Sequence, residues 1–292
     1  MKNSSYHTPV LLQETIDALQ VAEGEKYIDG TLGGGGHAEI ILEKKGIVLG
    51  IDQDEEALTE SQKRFDENDQ IRIVKGNFRD IKQIAEKFNF IDSDGILFDL
   101  GTSVHQLKNE LRGFSFMTHS KLDMRMDKNT ALTAEEIVNS WPKAELVEIF
   151  EKYGEEPESG AIVDEIVKRR KRQKIEYTDE LAEMVKSIKR KGEGKVHPAT
   201  RVFQAIRIVV NDEMNVLREG LGGGLDVLRS GGRMVIISFH SLEDRIVKST
   251  FSEFEARGLG KVIIKKPIRA SFSEIKKNKK ARSAKLRIFE KK

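Results

Sequence analysis

The amino-acid sequence predicts an α/β protein with a mostly parallel sheet and an inserted all-helical domain. Three observations lead to this prediction. Short β-rich runs alternate with helical patterns through the first hundred residues, as they do in βα units. The alternation stops after Leu100, where amphipathic helical segments follow one another with no strand between them. It resumes at Gly231.

The elements follow in order along the chain. Four strands are predicted at Lys26 to Asp29, Ile47 to Ile51, Ile71 to Val74 and Gly95 to Leu100. "TAEEIVNSWPKAELVEIFEKYGEE" and "TDELAEMVKSIKRK" have helical periodicity. After the turn at Gly231, "RMVIISF" predicts a strand, "SLEDRIVKSTFSEFEARG" a helix, and "KVIIKK" and "KLRIFE" two last strands. We therefore expect a core of residues 1–106 and 211–292, with 107–210 as the insertion.

Composition excludes several classes of protein. The 292 residues include no cysteine, so disulfides and thiolate metal sites are excluded, and we expect no metal. No apolar run approaches the roughly 20 residues of a membrane helix. The first residues, "MKNSSYHTPVLLQETIDALQ", contain no signal-like apolar stretch, so a cytoplasmic protein without membrane contact is expected.

Charge is distributed unevenly along the chain. Residues 1–100 carry 11 basic and 20 acidic side chains, whereas residues 261–292 carry 13 and 2. Two further basic runs lie at Lys168 to Lys174 and Lys186 to Lys195. Such runs are often only solvated faces, but their number beside an acidic half also fits a polyanionic partner.

A glycine-rich stretch, "YIDGTLGGGGHAEIIL", carries the first functional signal. Five of the chain's 24 glycines lie between Gly30 and Gly36, after a strand and before a helical pattern. The next strand ends in Asp52, about 20 residues on, where a carboxylate can meet a ribose diol. The pattern predicts an adenosine-type cofactor, with the glycines making room for it. The alternative is that the glycines only permit a tight strand-to-helix crossing.

Two cofactor classes fit a glycine loop followed by an acid. A nicotinamide dinucleotide would place its pyrophosphate at the helix N-terminus, as in an oxidoreductase. S-adenosylmethionine has no phosphate and carries a sulfonium cation. The acids at or just after strand ends favour the cation; they are Asp29, Asp52, Asp54 and Asp99.

Several longer motifs occur in one order along the chain. They are "HTPVLLQE", "YIDGTLGGGGH", "GILFDLG", "RGFSF", "LDMRMD", "HPATRVFQAIRIVVN", "GGRMVIISFHSLEDRIVK" and "ARSAKLR". In these motifs the chain resembles the bacterial 16S ribosomal RNA cytosine-N4 methyltransferases, or MraW proteins. The resemblance implies a class I, Rossmann-like S-adenosylmethionine methyltransferase fold. It also implies methylation of a cytosine N4 in the decoding region, with 16S rRNA in the small ribosomal subunit as partner.

The resemblance also implies site residues. The cofactor set is Gly33, Gly35, Gly36, His37, Asp52, Phe78, Asp99 and Gln106. Asp99 and Ser103 are the catalytic candidates, because acceptors must hold the hydrogens of a delocalised amine and ligands lie beyond the carboxyl ends of strands. Asp99 could equally contact the cofactor alone.

Substrate contacts are expected from basic and aromatic residues of later motifs. Arg112, Phe114 and Phe116 could stack on an extruded base or close the core of the insertion. His240 could contact substrate or be a satisfied buried imidazole, with Ser241 and Asp244 capping the next helix. A polar helix face with Thr200, Gln204, Arg207 and Asn211 could line a cleft or belong to a plain amphipathic helix. The substrate set is Arg112, Phe114, Phe116, Arg125, Arg201, Arg207 and His240.

The chain departs from the family pattern in three places. It has Ser103, Val104 and His105 where Ser-Ser-Pro is usual, "PESGA" at 157–161, and Asn278, Lys279 and Lys280 where Asn-Pro-Arg would make a turn. A non-enzymatic rival remains, an RNA-binding assembly factor with a methyltransferase fold. The oligomeric state is open, and a homodimer is among the options.

Overall fold

The computed structural model describes residues 9–101, 112–189 and 197–292, so Ser103 and Gln106 lie outside the described residues. The chain divides into two compact units. The first combines residues 1–103 with 214–292, and the second consists of residues 104–213. Among the described residues, no helix is long and apolar enough to cross a membrane.

The first unit contains a sheet of seven strands in the order β3-β2-β1-β4-β5-β7-β6. The first five strands of that order run parallel, and β7 pairs antiparallel with β5 and β6. This is the order of the class I S-adenosylmethionine methyltransferase fold, so the predicted Rossmann-like fold is confirmed, while the inserted helical domain stays a prediction. The strands are β1 (Lys26–Asp29), β2 (Ile47–Asp52), β3 (Ile71–Lys75), β4 (Ser93–Asp99), β5 (Leu228–Ser238), β6 (Gly260–Val262) and β7 (Lys285–Lys291).

Helices connect the parallel strands, and the nearly continuous apolar sequence of the strands reflects burial on both faces. Tyr27, Val48 and Leu97 belong to one apolar cluster with residues of the first two helices. The helices of this unit are α1 (Leu12–Leu19), α2 (Gly36–Glu43), α3 (Glu55–Arg64), α4 (Ile81–Phe88), α10 (Glu213–Val227), α11 (Ser241–Ala256) and α12 (Phe272–Lys277).

The C-terminal part differs from the predicted pattern. The strand expected over "KVIIKK" has only three residues, and α12 with a 3₁₀ turn at Lys279–Ser283 lies between β6 and β7. Asn278 caps that turn by accepting a hydrogen bond from the Lys280 N–H at 3.1 Å. The expectation that replacing Asn-Pro-Arg here loses a turn is therefore wrong, because an Asx cap supplies the turn.

The second unit is helical among its described residues. Its helices are α5 (Ala134–Ser140), α6 (Lys143–Lys152), α7 (Ser159–Arg170), α8 (Thr178–Ile188) and α9 (Thr200–Val210). Pro142 separates α5 from α6, since a proline cannot continue the preceding helix. The helices surround a core that includes Phe150, Ile162 and Leu181. The role of this unit in substrate recognition stays a prediction.

Candidate functional site

The sheet reverses its strand order between β1 and β4. In open parallel sheets, ligands bind at such a reversal, beyond the carboxyl ends of the strands. Three carboxylates end the strands at this place: Asp29 on β1, Asp52 on β2 and Asp99 on β4. Gly30 to Gly35 form the loop that leaves β1 and enters α2. The sheet topology therefore brings the predicted glycine loop and strand-end acids to one edge.

The glycine loop is fixed on both sides by its own chain. Asp52 Oδ2 accepts a hydrogen bond from the Gly33 N–H at 2.8 Å, which joins the loop to β2. Ser61 Oγ donates to the Gly33 carbonyl at 2.6 Å, and Arg64 Nη1 donates to the Gly34 carbonyl at 2.7 Å. Because α3 supplies both Ser61 and Arg64, it holds two consecutive loop carbonyls.

Two of the predicted cofactor glycines are required by packing within the protein. A Cβ at Gly35, where φ is +74°, would lie 2.3 Å from the Phe65 ring, and one at Gly36 would lie 2.3 Å from Pro9. By contrast, a Cβ at Gly33 would meet nothing closer than 3.8 Å, although its φ of +52° still disfavours side chains. The idea that these glycines mainly make room for a ligand thus fits Gly33 and not Gly35 or Gly36.

His37 is the second residue of α2 and is 5% exposed. Its Nε2 lies 3.2 Å from the Val10 carbonyl, the distance of a hydrogen bond if Nε2 carries the proton. Burial lowers the pKa of His37 to about 4, so the ring is neutral at pH 7. Its Nδ1 is 3.9 Å from Asp99 Oδ2, beyond hydrogen-bond distance. Nε2 is thus held by the chain, and the backbone N–H of His37, in the first turn of α2, has no partner inside the helix and can contact a ligand.

Two of the three strand-end carboxylates have raised pKa values. Burial raises the pKa of Asp29 to about 7, against the hydrogen bond from the Thr31 N–H, and the nearby charges of Asp99 and Asp52 raise it further. Burial likewise raises the pKa of Asp52 to about 6, although N–H groups of Asp54 and Gly33 counteract it. A cation placed among these groups would relieve their repulsion.

Asp99 is positioned by the residue that follows the first loop glycine. Its N–H donates to Thr31 Oγ1 at 2.6 Å, and its Oδ1 accepts from the Gly101 N–H at 3.3 Å. The Asp99 side chain is 12% exposed. Thr31 therefore connects Asp99 to Asp29, because its own N–H donates to Asp29 Oδ1 at 3.2 Å.

Phe78 follows β3 in a short 3₁₀ turn and is half-buried. Its ring centroid lies 4.6 Å from that of Phe98 on β4. A Cβ at Gly30 would lie 3.2 Å from Phe78 Cβ, so Phe78 packs against the beginning of the glycine loop. This location is compatible with the prediction that Phe78 lies next to the cofactor.

The residues predicted to stack on a base, Arg112, Phe114 and Phe116, pack within the second unit. Arg112 is 2% exposed, and its Nη2 donates to the carbonyls of Arg125 and Met126 at 3.0 Å each. Phe114 is 7% exposed, while Phe116 stacks on His197 with ring centroids 4.4 Å apart. The geometry therefore supports the alternative, in which these aromatics close the core of the unit.

Two further arginines of the substrate set bind within the same unit. Arg125 contacts the Asp123 carboxylate through Nε and Nη2, at 2.9 and 2.7 Å. Arg207 binds Glu213 through Nε and Nη2 at 2.8 and 2.9 Å. Arg201, in contrast, is exposed at the start of α9. Of the arginines predicted to contact substrate, Arg201 has the accessibility that such a contact requires.

The polar face of α9 also stabilises its own unit. Gln204 Nε2 donates to the Tyr153 carbonyl at 2.9 Å. Asn211 Oδ1 accepts from the Met126 N–H at 2.7 Å, and its Nδ2 donates to the Met124 carbonyl at 2.9 Å. These bonds attach the "LDMRMD" segment to α9, so Gln204 and Asn211 act in packing, contrary to the predicted cleft-lining role.

His240 caps α11. Its Nδ1 accepts from the Glu243 N–H at 3.4 Å, and Glu243 Oε2 accepts from the His240 N–H at 3.2 Å, forming a capping box. The predicted cap of Ser241 with Asp244 is wrong by one residue. Asp244 instead accepts from Lys285 Nζ and Arg287 Nε, each at 2.7 Å. The Nε2 of His240 is buried without a hydrogen bond, 3.0 Å from Glu243 Oε1, so the cap engages one ring nitrogen and the imidazole is not fully satisfied.

Sequence reasoning named Asp29 only as a strand-end acid and left Thr31 and Arg64 out of the site. Thr31 lies in the same motif as the glycines, and its hydroxyl close to a strand-end carboxylate was a usable signal. Arg64 has no comparable signal, because its partner is a loop carbonyl 30 positions away.

The residues at this edge suit S-adenosylmethionine. The first-turn N–H groups of α2 have no partner inside the helix and can meet a carboxylate. The strand-end acids suit a cation and a ribose diol, whereas a pyrophosphate would be repelled by Asp29, Asp52 and Asp99. The donor and acceptor set thus fits the methyl donor and opposes the nicotinamide alternative.

Comparisons with known proteins agree with this fit. The MraW methylase family matches residues 4–292 of the chain. The ribosomal RNA small subunit methyltransferase H of Carboxydothermus hydrogenoformans is 47% identical and covers 98% of this chain and 97% of its own. The protein of the same name from Halothermothrix orenii is 44% identical, covering 97% and 98%. A crystal structure of an rRNA methylase from Streptococcus thermophilus has 10% identity and a TM-score of 0.45, with 97% of each chain covered.

Proposed function

The chain belongs to the MraW methylase family, and on that premise we propose that it methylates the exocyclic N4 of a cytosine in the decoding region of 16S rRNA. The methyl donor is S-adenosylmethionine, and the acceptor lies in the small ribosomal subunit. The relatives named as methyltransferases of the small-subunit RNA support the acceptor class. The observation that carries the proposal is Asp99, a carboxylate at the switch point of the sheet beside the glycine loop.

The cofactor would be held by residues of the first unit. Asp52 would accept from the ribose hydroxyls, Phe78 would neighbour the adenine, and Gly33 offers open space at the loop. The backbone N–H groups of Gly36 and His37 would face the methionine carboxylate. When bound, S-adenosylmethionine supplies an electrophilic methyl group on a sulfonium.

Asp99 would act on the acceptor amine. The lone pair of a cytosine N4 is delocalised into the ring, so the amine becomes nucleophilic when acceptors bind its hydrogens. A carboxylate offers about four acceptor positions, and the Gly101 N–H takes one of those on Asp99. Thr31 fixes the backbone of Asp99 and thus the direction of the carboxylate. The amine proton then passes to a carboxylate or to water. Ser103, two residues beyond Gly101, remains a second candidate.

The second unit, residues 104–213, would contribute to substrate recognition. Arg201 is the exposed arginine of α9 and would contact RNA phosphate. The basic run at Lys168 to Lys174 contributes less than its charge suggests. Arg170 donates to the carbonyls of Val138 and Trp141 at 2.8 Å, and Lys168 pairs with Glu165.

The proposal is tested by transfer of tritium from S-adenosylmethionine to small-subunit particles that lack the modification. The label should appear in 16S rRNA, and nucleoside mass spectrometry should identify N4-methylcytidine. Label in a different base, or in ribosomal protein, would refute the proposed acceptor. An absence of transfer together with tight binding to the particles would favour the assembly-factor rival.

The role of Asp99 is tested by single-turnover methylation with Asp99→Asn. We expect the rate to fall by about 10²- to 10⁴-fold, the range for a positioned acid–base group. Binding of S-adenosylhomocysteine, measured by calorimetry, separates the two readings of Asp99. If affinity falls as much as the rate while saturating cofactor restores turnover, Asp99 is a cofactor contact and not the acceptor of the amine hydrogens.

A further inference from the structure

The connection between β6 and β7, residues 263–284, combines many cations with an exposed aromatic ring. We call it the basic connection. Residues 261–292 carry 13 basic and 2 acidic side chains. Phe272, at the start of α12, is 84% exposed, against 76% for Met117 and 37% for Ile91, the other large apolar side chains exposed in the described ranges. Single exposed apolar residues are common, so the exposure of Phe272 alone does not indicate a function. The cations around the ring are the additional observation.

The basic connection is anchored to the first unit, so the exposure of Phe272 is a defined feature. Ile268 exchanges backbone hydrogen bonds with Leu286 of β7, at 3.0 and 2.9 Å. Glu274 Oε1 accepts from the Leu11 N–H at 2.8 Å, which attaches α12 to the N-terminal region. Ser271 caps α12 by accepting from the Glu274 N–H at 3.2 Å. These bonds direct one side of α12 inward and leave Phe272 outside.

Seven of the eight cations of the basic connection make no ion pair in the described part of the chain. Within the ranges that the structure describes, no ion pair involves Lys265, Lys266, Arg269, Lys276, Lys277, Lys279 or Arg282. The two acids of residues 261–292 are engaged elsewhere. Glu274 binds Leu11, and Glu290 pairs with Arg233 and Lys261. The surface therefore presents positive charge that nothing on the same segment neutralises.

The helix places a cation next to the ring. Phe272 and Lys276 are four residues apart on α12, and residues at that spacing are neighbours on a helix surface. Both side chains are exposed. A flat ring beside an ammonium group offers a base a stacking face and its phosphate a counter-charge. An apolar protein partner would instead need a contiguous apolar patch, which a single ring among cations does not provide.

We propose that the basic connection docks a single-stranded segment of the RNA substrate, with Phe272 stacking on an unpaired base and Lys276 and Lys277 contacting phosphates. Combined stacking and backbone charge is how proteins bind single-stranded nucleic acid without reading its sequence. The inference rests on the proposed function, because that function supplies an RNA partner. It adds to the first unit a contact surface whose residues belong to neither the predicted cofactor set nor the predicted substrate set.

The test is fluorescence anisotropy with a labelled single-stranded oligoribonucleotide of about 20 nucleotides, enough to cover several site sizes. Phe272→Ala should weaken binding about 5- to 100-fold, the loss of one stacked base. Lys276→Glu with Lys277→Glu should weaken binding and make the logarithmic salt dependence shallower by about 0.7 for each lost phosphate contact. Calorimetry with S-adenosylhomocysteine should give wild-type affinity for each variant, which establishes that the first unit is folded.

Matched controls come from the same unit. Ile91→Ala removes another exposed apolar side chain, and Lys44→Glu with Lys63→Glu makes the same charge change on the acidic half; neither should alter RNA affinity. The inference is overturned if Phe272→Ala and the lysine variant bind the oligoribonucleotide as the controls do. It is also overturned if only the KM for intact subunits rises, which would indicate a protein partner. Failure of the proposed function gives a different result. RNA binding would then still depend on Phe272, but no N4-methylcytidine would form in the small-subunit particles.

Discussion

The two groups of predicted site residues behave differently in the two units. In the first unit, the glycine loop and the acids Asp29, Asp52 and Asp99 meet at one edge of the sheet, where burial raises the pKa values of Asp29 and Asp52. In the second unit, Arg112 and Arg125 bind carbonyls and carboxylates of their own segment. Charge left uncompensated by the fold suits a ligand, whereas charge already compensated stabilises the fold.

The largest effect should follow from removing Arg112. Arg112→Ala would leave the Arg125 and Met126 carbonyls without their donor and open a cavity, so we expect a loss of about 3 kcal/mol in the free energy of unfolding. Trp141, the single tryptophan, lies in the second unit, so its fluorescence during urea unfolding reports on that unit. A stable Arg112→Ala protein with impaired RNA binding would restore Arg112 to the substrate set.

The next largest effect on stability is expected in the glycine loop, where Gly35→Ala can be compared with Gly33→Ala. Gly35→Ala forces a methyl group against Phe65 at a positive φ, whereas Gly33→Ala carries only the φ penalty. We expect Gly35→Ala to cost about 1 to 3 kcal/mol more in stability, because overpacking adds to strain. Thermal unfolding of both variants without ligand measures the difference. Equal costs would mean that Phe65 yields and that the packing explanation of Gly35 fails.

Asp29→Asn should stabilise the protein at high pH and weaken cofactor binding. The folded pKa of about 7 lies above the ordinary value of 3.8, so the stability linked to protonated Asp29 is complete below about pH 4 and lost as pH rises through 7. At pH 8 the neutral variant should be more stable than wild type by on the order of 1 to 2 kcal/mol, and at pH 4 the difference should vanish. Its affinity for S-adenosylmethionine should fall.

Thermal unfolding without ligand, recorded between pH 4 and 8, tests this expectation. A stability difference that does not change with pH would show that Asp29 is not ionised in the folded protein at pH 8. An unchanged affinity for S-adenosylmethionine would separate Asp29 from the cationic ligand.

The smallest effect on stability is expected for Arg201→Ala, within about 0.5 kcal/mol, because the side chain is exposed. Its effect should instead appear as a raised KM for small-subunit particles with kcat retained. This result contrasts directly with Arg112→Ala, which acts on the fold. A wild-type KM would leave the second unit without an arginine of the predicted substrate set that contacts RNA.

The sequence predicted the parallel sheet and the meeting of the glycine loop with the strand-end acids for a physical reason. Strand alternation, a glycine loop and acids at strand ends are local patterns, and parallel strands bring their carboxyl ends together. Side-chain contacts between residues far apart in the sequence leave no such local pattern. Nothing local distinguishes Arg201, which is exposed, from Arg207, which binds Glu213, and the contact of Arg64 with Gly34 depends on the packing of α3 against the loop. A proline such as Pro142 is a local signal for the end of a helix, whereas α12, with six residues, is too short to show helical periodicity.

The central claim is that the edge formed by β1, β2 and β4 binds the methyl donor. Calorimetric titration of Asp52→Ala with S-adenosylhomocysteine tests it most directly, because the variant loses both the ribose acceptor and the bond to the Gly33 N–H. We predict affinity reduced by about 10- to 100-fold, as expected for losing hydrogen bonds to a charged group, with a cooperative thermal transition retained. Wild-type affinity in a folded Asp52→Ala protein would contradict the placement of the cofactor at this edge.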